Sequence, residues 1–137
     1  MKLSTPIADI MSTNLITVTC DNSLKDVELL MQKYHIRHIP VLKDNKLHGI
    51  LSLTDLQRIS FANAYNSEEK DVDYVIYDLL TLEQVMVKNP ITVNKTDTIK
   101  KAGTILTKHE FHALPVVNGD YLVGIVTSTD LLKYLIS

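Results

Sequence analysis

From Leu24 to Tyr34 the apolar residues Leu24, Val27, Leu30, Met31 and Tyr34 recur at intervals of three and four, the spacing of one face of an α-helix. Ser23 stands at the N-cap position of that helix, where a hydroxyl can accept a hydrogen bond from the first turn. Upstream, Ile16-Thr17-Val18-Thr19 predicts a short strand. Downstream, Ile39-Pro40-Val41-Leu42 and Leu47-His48-Gly49-Ile50-Leu51 flank the polar Lys43-Asp44-Asn45 and predict a hairpin. A closing helix starts near Thr54 or Asp55. The predicted order is strand, helix, strand, strand, helix.

The same order returns at a constant, ungapped offset of 75 residues. Met11 then meets Met86, Asn14 meets Asn89, and Ile16-Thr17-Val18 meets Ile91-Thr92-Val93. Pro40-Val41 meets Pro115-Val116, Leu47-x-Gly49-Ile50 meets Leu122-x-Gly124-Ile125, and Thr54-Asp55-Leu56 meets Thr129-Asp130-Leu131. The second helix repeats its face as Ile99, Ala102, Ile105, Leu106 and His109, the second hairpin turns at Asn118-Gly119-Asp120, and the second closing helix starts near Thr129 or Asp130. A period this long, present twice, excludes a solenoid. It predicts an α+β fold of two lobes related by a pseudo-twofold axis, since one lobe of about 50–60 residues would be marginal alone. The predicted division is a first repeat over 1–62, a connector over 63–80 and a second repeat over 81–137, together one compact module. In the connector, Asn66-Ser67-Glu68-Glu69-Lys70-Asp71 predicts a polar, mobile tip, and the apolar residues from Val72 to Leu80 predict an ordered segment that packs back on the body.

Composition narrows the class of function. Of 137 residues 45% are hydrophobic, enough for a core without cross-links. Fourteen Lys and Arg against sixteen Asp and Glu leave a formal charge of -2, with no basic excess for a nucleic-acid backbone. The single cysteine, Cys20, excludes an internal disulfide and a multi-thiolate zinc site. Neither a signal-peptide core nor a membrane-length apolar run occurs, so the expected compartment is the cytoplasm and no membrane partner is expected.

Gly49-Ile50-Leu51-Ser52-Leu53-Thr54-Asp55 and Gly124-Ile125-Val126-Thr127-Ser128-Thr129-Asp130 resemble the Gly-h-h-Ser/Thr-x-x-Asp motif of CBS (cystathionine-beta-synthase) domains. With the helix and the Pro-Val strand upstream of each motif, the chain resembles a tandem CBS pair, or Bateman module, over nearly its whole length. The resemblance implies an adenosine-type regulatory ligand, an adenine nucleotide such as AMP, ADP or ATP, or S-adenosylmethionine, held in clefts between the lobes. In that reading Asp55 and Asp130 accept ribose hydroxyls, and Ser52 and Thr127, with the neighbouring Thr54 and Thr129, meet ribose or phosphate. The adenine lies against Ile39-Pro40 and Leu114-Pro115, while backbone around Thr17 to Thr19 and Thr92 to Asn94 reads its edge. Arg37, His38 and His112 face phosphate. Arg37-His38 offers up to two cationic groups and His112-Ala113 one weaker group, so unequal affinities are expected.

Plainer roles stand beside these. Asp55 and Asp130 begin helices, where a carboxylate is stabilising without a ligand. Pro40 and Pro115 read as strand starts or edges. His35-x-x-His38 and His109-x-x-His112 have metal-ligand spacing, but they fall one residue out of register between the repeats, so no metal is expected. Cys20 has no histidine near it in sequence and faces Lys95 in the second copy, so no catalytic residue is expected and the chain does not read as an enzyme. The large apolar residues of Leu131-Leu132-Lys133-Tyr134-Leu135-Ile136 exceed one buried stripe and suggest a homodimer. The expected function is ligand sensing that signals to an effector protein in trans. The alternative is a constitutive dimerisation or interaction module with no nucleotide ligand, and nucleic-acid binding would require basic residues to cluster in space.

Overall fold

The computed structural model describes residues 2–64, 79–109 and 111–137, so the tip expected at Asn66 to Asp71 and most of the segment expected to pack back lie outside the described residues. The elements are β1 (Val18–Thr19), α1 (Leu24–Tyr34), β2 (His38–Lys43), β3 (Lys46–Ser52) and α2 (Leu53–Ala64). They continue with α3 (Leu82–Val85), β4 (Val87–Lys88), β5 (Val93–Asn94), α4 (Ile99–His109), β6 (Ala113–Asn118), β7 (Tyr121–Thr127) and α5 (Ser128–Leu135). A single 3-10 turn, Ile7–Asp9, precedes them. The strand, helix, strand, strand, helix order predicted for each repeat is present twice, and the fold is α+β.

Helix α1 has the predicted limits because both ends are locally encoded. The Asp26 N–H donates to Ser23 Oγ at 3.1 Å and the Ser23 N–H to Asp26 Oδ2 at 2.9 Å, a reciprocal capping box. At the other end His35 takes a left-handed conformation (φ 53°) and its N–H closes on the Met31 carbonyl. The hairpin of β2 and β3 turns through Asp44 and Asn45, both at positive φ, and its counterpart turns at Gly119. Both hairpins carry a register shift at the same place, between Val41 and Leu42 and between Val116 and Val117. Pro40 and Pro115 are not strand starts but the third residues of β2 and β6. Parallel pairing to β1 and β5 begins one residue later, at Val41 and Val116, so the missing N–H costs no ladder bond on that side.

The compact units differ in one respect from the repeats read along the chain: each repeat's leading segment joins the body of the other repeat. One unit comprises residues 16–89, the other residues 1–15 with 90–137. In the first, strands run in the order β1-β2-β3-β4, parallel between β1 and β2 and antiparallel thereafter, and β4 comes from the leading segment of the second repeat. The core holds Leu24, Val27, Met31, Ile39, Val41, Leu51 and Leu56, closed by Leu82 and Met86 of that segment. Leu82 is fully buried, a contribution of about 1.5–3 kcal/mol. The second unit has the order β5-β6-β7, and here Ile7 joins Val93, Ala102, Leu106, Leu114, Val116 and Val126. Ser12 bridges Ile125 there as β4 pairs Gly49 and Ile50 in the first unit.

Gly49 and Gly124 make room for these crossings. A Cβ on Gly49 would lie 2.5 Å from Met86 Sδ and 2.9 Å from the Val87 carbonyl oxygen; one on Gly124 would lie 2.5 Å from Met11 Sδ and 3.0 Å from the Ser12 carbonyl oxygen. Gly103, inside α4, is different: its nearest neighbour would be Leu131 Cδ1 at 3.9 Å, an ordinary packing contact. Gly49→Ala and Gly124→Ala are each expected to lose about 1–3 kcal/mol by overpacking, whereas Gly103→Ala gains up to about 1 kcal/mol of helix propensity. Urea unfolding followed by circular dichroism measures both signs.

Ahead of each repeat's first helix, a polar side chain ties down the strand end. The Thr19 N–H donates to Asn22 Oδ1 at 3.0 Å and, at the equivalent place, the Asn94 N–H donates to Asp97 Oδ2 at 2.8 Å. Asp97 also holds Lys101 Nζ at 3.0 Å. The backbone bond from Asn94, and after it Lys101, keeps the Asp97 carboxyl below its ordinary range against the opposing pull of burial. Its stabilisation is therefore complete above the unfolded value of about 3.9 and is lost as pH falls through the lower folded value. Asp97→Asn is expected to remove that part of the acid limb in a pH series of unfolding midpoints.

Candidate functional site

In both units the hairpin's second strand runs into the closing helix through a second pair of capping boxes. The Asp55 N–H donates to Ser52 Oγ at 3.1 Å and the Ser52 N–H to Asp55 Oδ2 at 3.1 Å. The Asp130 N–H donates to Thr127 Oγ1 at 3.1 Å and the Thr127 N–H to Asp130 Oδ2 at 2.9 Å. The closing helices thus begin at Leu53 and Ser128, one or two residues before the sequence expectation, because Ser52 and Thr127 are the caps and the aspartates sit in the first turn. A further bond fixes each junction to the start of the preceding strand: Leu53 N–H to the Arg37 carbonyl at 2.8 Å, and Ser128 N–H to the His112 carbonyl at 2.9 Å.

The cap leaves chemical capacity unused. Among the described residues, Oδ1 of Asp55 and of Asp130 accepts no hydrogen bond, and the Ser52 and Thr127 hydroxyl protons have no acceptor. Each junction thus offers a carboxylate acceptor, a hydroxyl donor and the positive end of a helix. That combination suits vicinal hydroxyls and an anionic group.

Strand register places the other expected residues. His38 lies opposite Ser52 and Pro40 opposite Ile50, and the parallel pairing of Val18 with Val41 puts Thr17 on the Pro40 side. Thr17, Arg37, His38, Ser52, Thr54 and Asp55 therefore gather at one end of the first unit's sheet. Thr92, His112, Thr127, Thr129 and Asp130 gather at the corresponding end of the other unit. Thr19 does not join them: it pairs with Leu42 toward the hairpin turn. Its backbone N–H and side chain serve the turn into α1. Ile39 and Leu114 are wholly buried in their cores, and Pro40 and Pro115 are buried within the sheets. Arg37 and His112 are exposed.

A cluster that sequence separation concealed lies elsewhere in the first unit. Cys20 Sγ donates to Glu83 Oε1 at 3.3 Å, and His48 Nε2 lies 3.1 Å from the same oxygen. The bonds from Cys20 and then His48 hold the Glu83 carboxyl below its ordinary range. Burial, then Glu83 itself, pushes the Cys20 thiol up. The residues are 28 and 35 positions apart along the chain. Only the packing of α3 beside β3 brings them together, a contact that no local motif announces.

Comparison with known proteins places the chain. The sequence profile of the CBS domain matches it twice, over residues 7–61 and 82–137. The chain belongs to the CBS domain family. This CBS pair is 29% identical over 134 residues to protein MJ1225 of Methanocaldococcus jannaschii, covering 93% of this chain and 46% of that protein. It is 34% identical over 126 residues to inosine-5'-monophosphate dehydrogenase of Staphylococcus haemolyticus, covering 90% of this chain and 23% of the enzyme. The CBS pair therefore spans less than half the length of these sequence relatives. Among solved structures it is similar to the CBS domain pair of protein MJ0100 in complex with 5'-methylthioadenosine and S-adenosyl-L-methionine, with a TM-score of 0.77, 28% identity, and coverage of 96% of this chain and 99% of that one. Among the described residues no helix is long and apolar enough to cross a membrane.

The cap and the free oxygen of each aspartate can be separated. Without any ligand, Asp55→Ala and Asp130→Ala are each expected to cost about 0.3–1.5 kcal/mol in urea unfolding. Asp55→Asn and Asp130→Asn keep an oxygen for the backbone N–H and lose less.

Proposed function

We propose that this CBS pair is a regulatory module, not an enzyme, that binds an adenosine-type ligand at the Ser52–Asp55 and Thr127–Asp130 junctions and signals its occupancy to an effector protein in trans. The observation that carries the reading is the duplicated capping box with an uncommitted Oδ1 on each aspartate. One oxygen fixes the side chain on the helix and the other accepts ribose hydroxyls without rearrangement, which lowers the ordering cost of binding. The adenosine class is supported by the MJ0100 pair, which was crystallised with two adenosine compounds. A similar stretch that makes up about a quarter of a longer dehydrogenase supports a module that reports to other domains.

Asp55 and Asp130 bind ribose; Ser52, Thr127, Thr54 and Thr129 meet ribose or phosphate; Thr17 and Thr92 border the base. Arg37 and His38 serve phosphate in the first unit and His112 in the second, so the first binds anionic ligands more tightly. Ligand binding shifts the module between two arrangements only by as much as it favours one of them. The exposed Leu132, Leu135 and Ile136 of the C-terminal helix and its end form the apolar face through which two copies of this protein associate. This association in the cytoplasm carries the output.

The test is the unfolding temperature of the full chain against AMP, ADP, ATP, S-adenosylmethionine, GTP and buffer. A ligand at one hundred times its dissociation constant adds about 2.7 kcal/mol, a rise of several degrees for a domain of this size. The expected pattern is a rise confined to adenosine compounds. In Asp55→Asn or Asp130→Asn it should weaken by about tenfold or more in affinity, because Oδ1 is used by the cap and an amide donor faces the ribose. A flat panel up to millimolar ligand would favour the constitutive interaction module instead.

A further inference from the structure

The Cys20, His48 and Glu83 cluster has no part in either junction. Cys20 follows β1, His48 lies within β3 and Glu83 occupies the first turn of α3. One donor atom from each, a sulfur, a ring nitrogen and a carboxylate oxygen, lies within 4.8 Å of the other two, and all three residues are partly buried. In a tetrahedral zinc site with bonds of about 2.0–2.3 Å, neighbouring ligand atoms are about 3.3–3.5 Å apart. The sulfur-to-oxygen separation of 3.3 Å and the nitrogen-to-oxygen separation of 3.1 Å are within about 0.2 Å of that.

The duplication supplies an internal control. At the three equivalent positions the other repeat carries Lys95, Val123 and Ala8. There a backbone bond, from the Ala8 N–H to the Lys95 carbonyl at 3.1 Å, joins the two segments, and Val123 packs against the apolar core. The fold therefore does not require a metal-ligating triad there, and the first unit has placed three metal-ligating side chains where the other repeat carries a lysine, a valine and an alanine.

We propose that Cys20, His48 and Glu83 bind a divalent transition ion, with zinc the best match, leaving the fourth position to water. Thiolate, imidazole and carboxylate form a donor set that zinc accepts and that magnesium and calcium, which require oxygen ligands, do not. On binding, the Cys20 thiol releases its proton to solvent and its sulfur lone pair bonds to the metal; the proton on His48 Nε2 moves by way of solvent to Nδ1, freeing the Nε2 lone pair for the ion, and the Glu83 oxygen exchanges its hydrogen bonds for the ion. Thiolate and carboxylate together neutralise a divalent charge. Among the described residues, Asp21 and Lys43 are the other charged groups that act on the cluster; Asp21 favours the cation and Lys43 opposes it. Because Glu83 belongs to the segment that begins the second repeat, the ion clamps that segment to the sheet of the first unit.

Cobalt(II) is the probe, titrated into the untagged, reduced, metal-stripped full chain and followed by absorption. The expected result is one ion per chain, with a thiolate-to-cobalt band in the near ultraviolet and visible bands of tetrahedral intensity, all displaced by zinc. Cys20→Ser should abolish the near-ultraviolet band. His48→Val and Glu83→Ala, which install the other repeat's own residues, should keep the circular dichroism of the fold and weaken cobalt binding by at least about tenfold, as even outer-shell losses do. His109→Ala, a surface histidine outside the cluster, should change nothing. Wild-type protein without a thiolate band at one equivalent, or binding that survives His48→Val and Glu83→Ala but is lost in His109→Ala, overturns the proposal.

Discussion

At Gly49 and Gly124 a methionine side chain and a carbonyl from the other half of the sequence come so close to a β-strand that one added methyl group would collide with both. That approach is what lets each repeat's leading segment complete the other repeat's body. It admits β4 to the first sheet and places Leu82 and Met86 in its core; in the other unit it admits the bridge at Ser12 and the burial of Ile7. Without it the β3 edge would be bare beside Gly49 and Ile50, and the cores would lose residues buried to the last few per cent. A repeat of about 60 residues is short of buried surface, and the exchange corrects that shortage at no cost in chain length.

The same strands that carry the glycines deliver the junctions three residues later. A strand pinned by its crossing segment ends in a fixed position, and the capping box then holds the aspartate rotamer. The cap thus uses Oδ2 of each aspartate and leaves Oδ1 uncommitted among the described residues.

The copies kept their interiors and diverged at polar positions. Val41 and Val116, Ile39 and Leu114, and Leu82 and Ile7 fill equivalent core places with apolar residues of similar volume, as close packing demands. Arg37-His38 became His112-Ala113, and Cys20, His48 and Glu83 face Lys95, Val123 and Ala8. Packing places little constraint on exposed or half-exposed side chains, so chemistry that differs between the repeats is confined to them.

Periodicity, capping residues and the exact repeat determined the elements. Helix α1 ends where Ser23 and His35 say it must, the hairpins turn where Asp44, Asn45 and Gly119 allow positive φ, and the paired Gly-to-Asp motifs mark the junctions, all because these signals act over one to four residues of backbone. Three features needed the tertiary structure. The exchange of leading segments, the burial of Ile39 and Leu114 and the meeting of Cys20, His48 and Glu83 depend on contacts between residues far apart along the chain, up to 113 positions in the bridge of Ser12 to Ile125. Such contacts are set by which surfaces remain to be buried after the local elements have formed, a property of the packed whole that no window of the sequence contains.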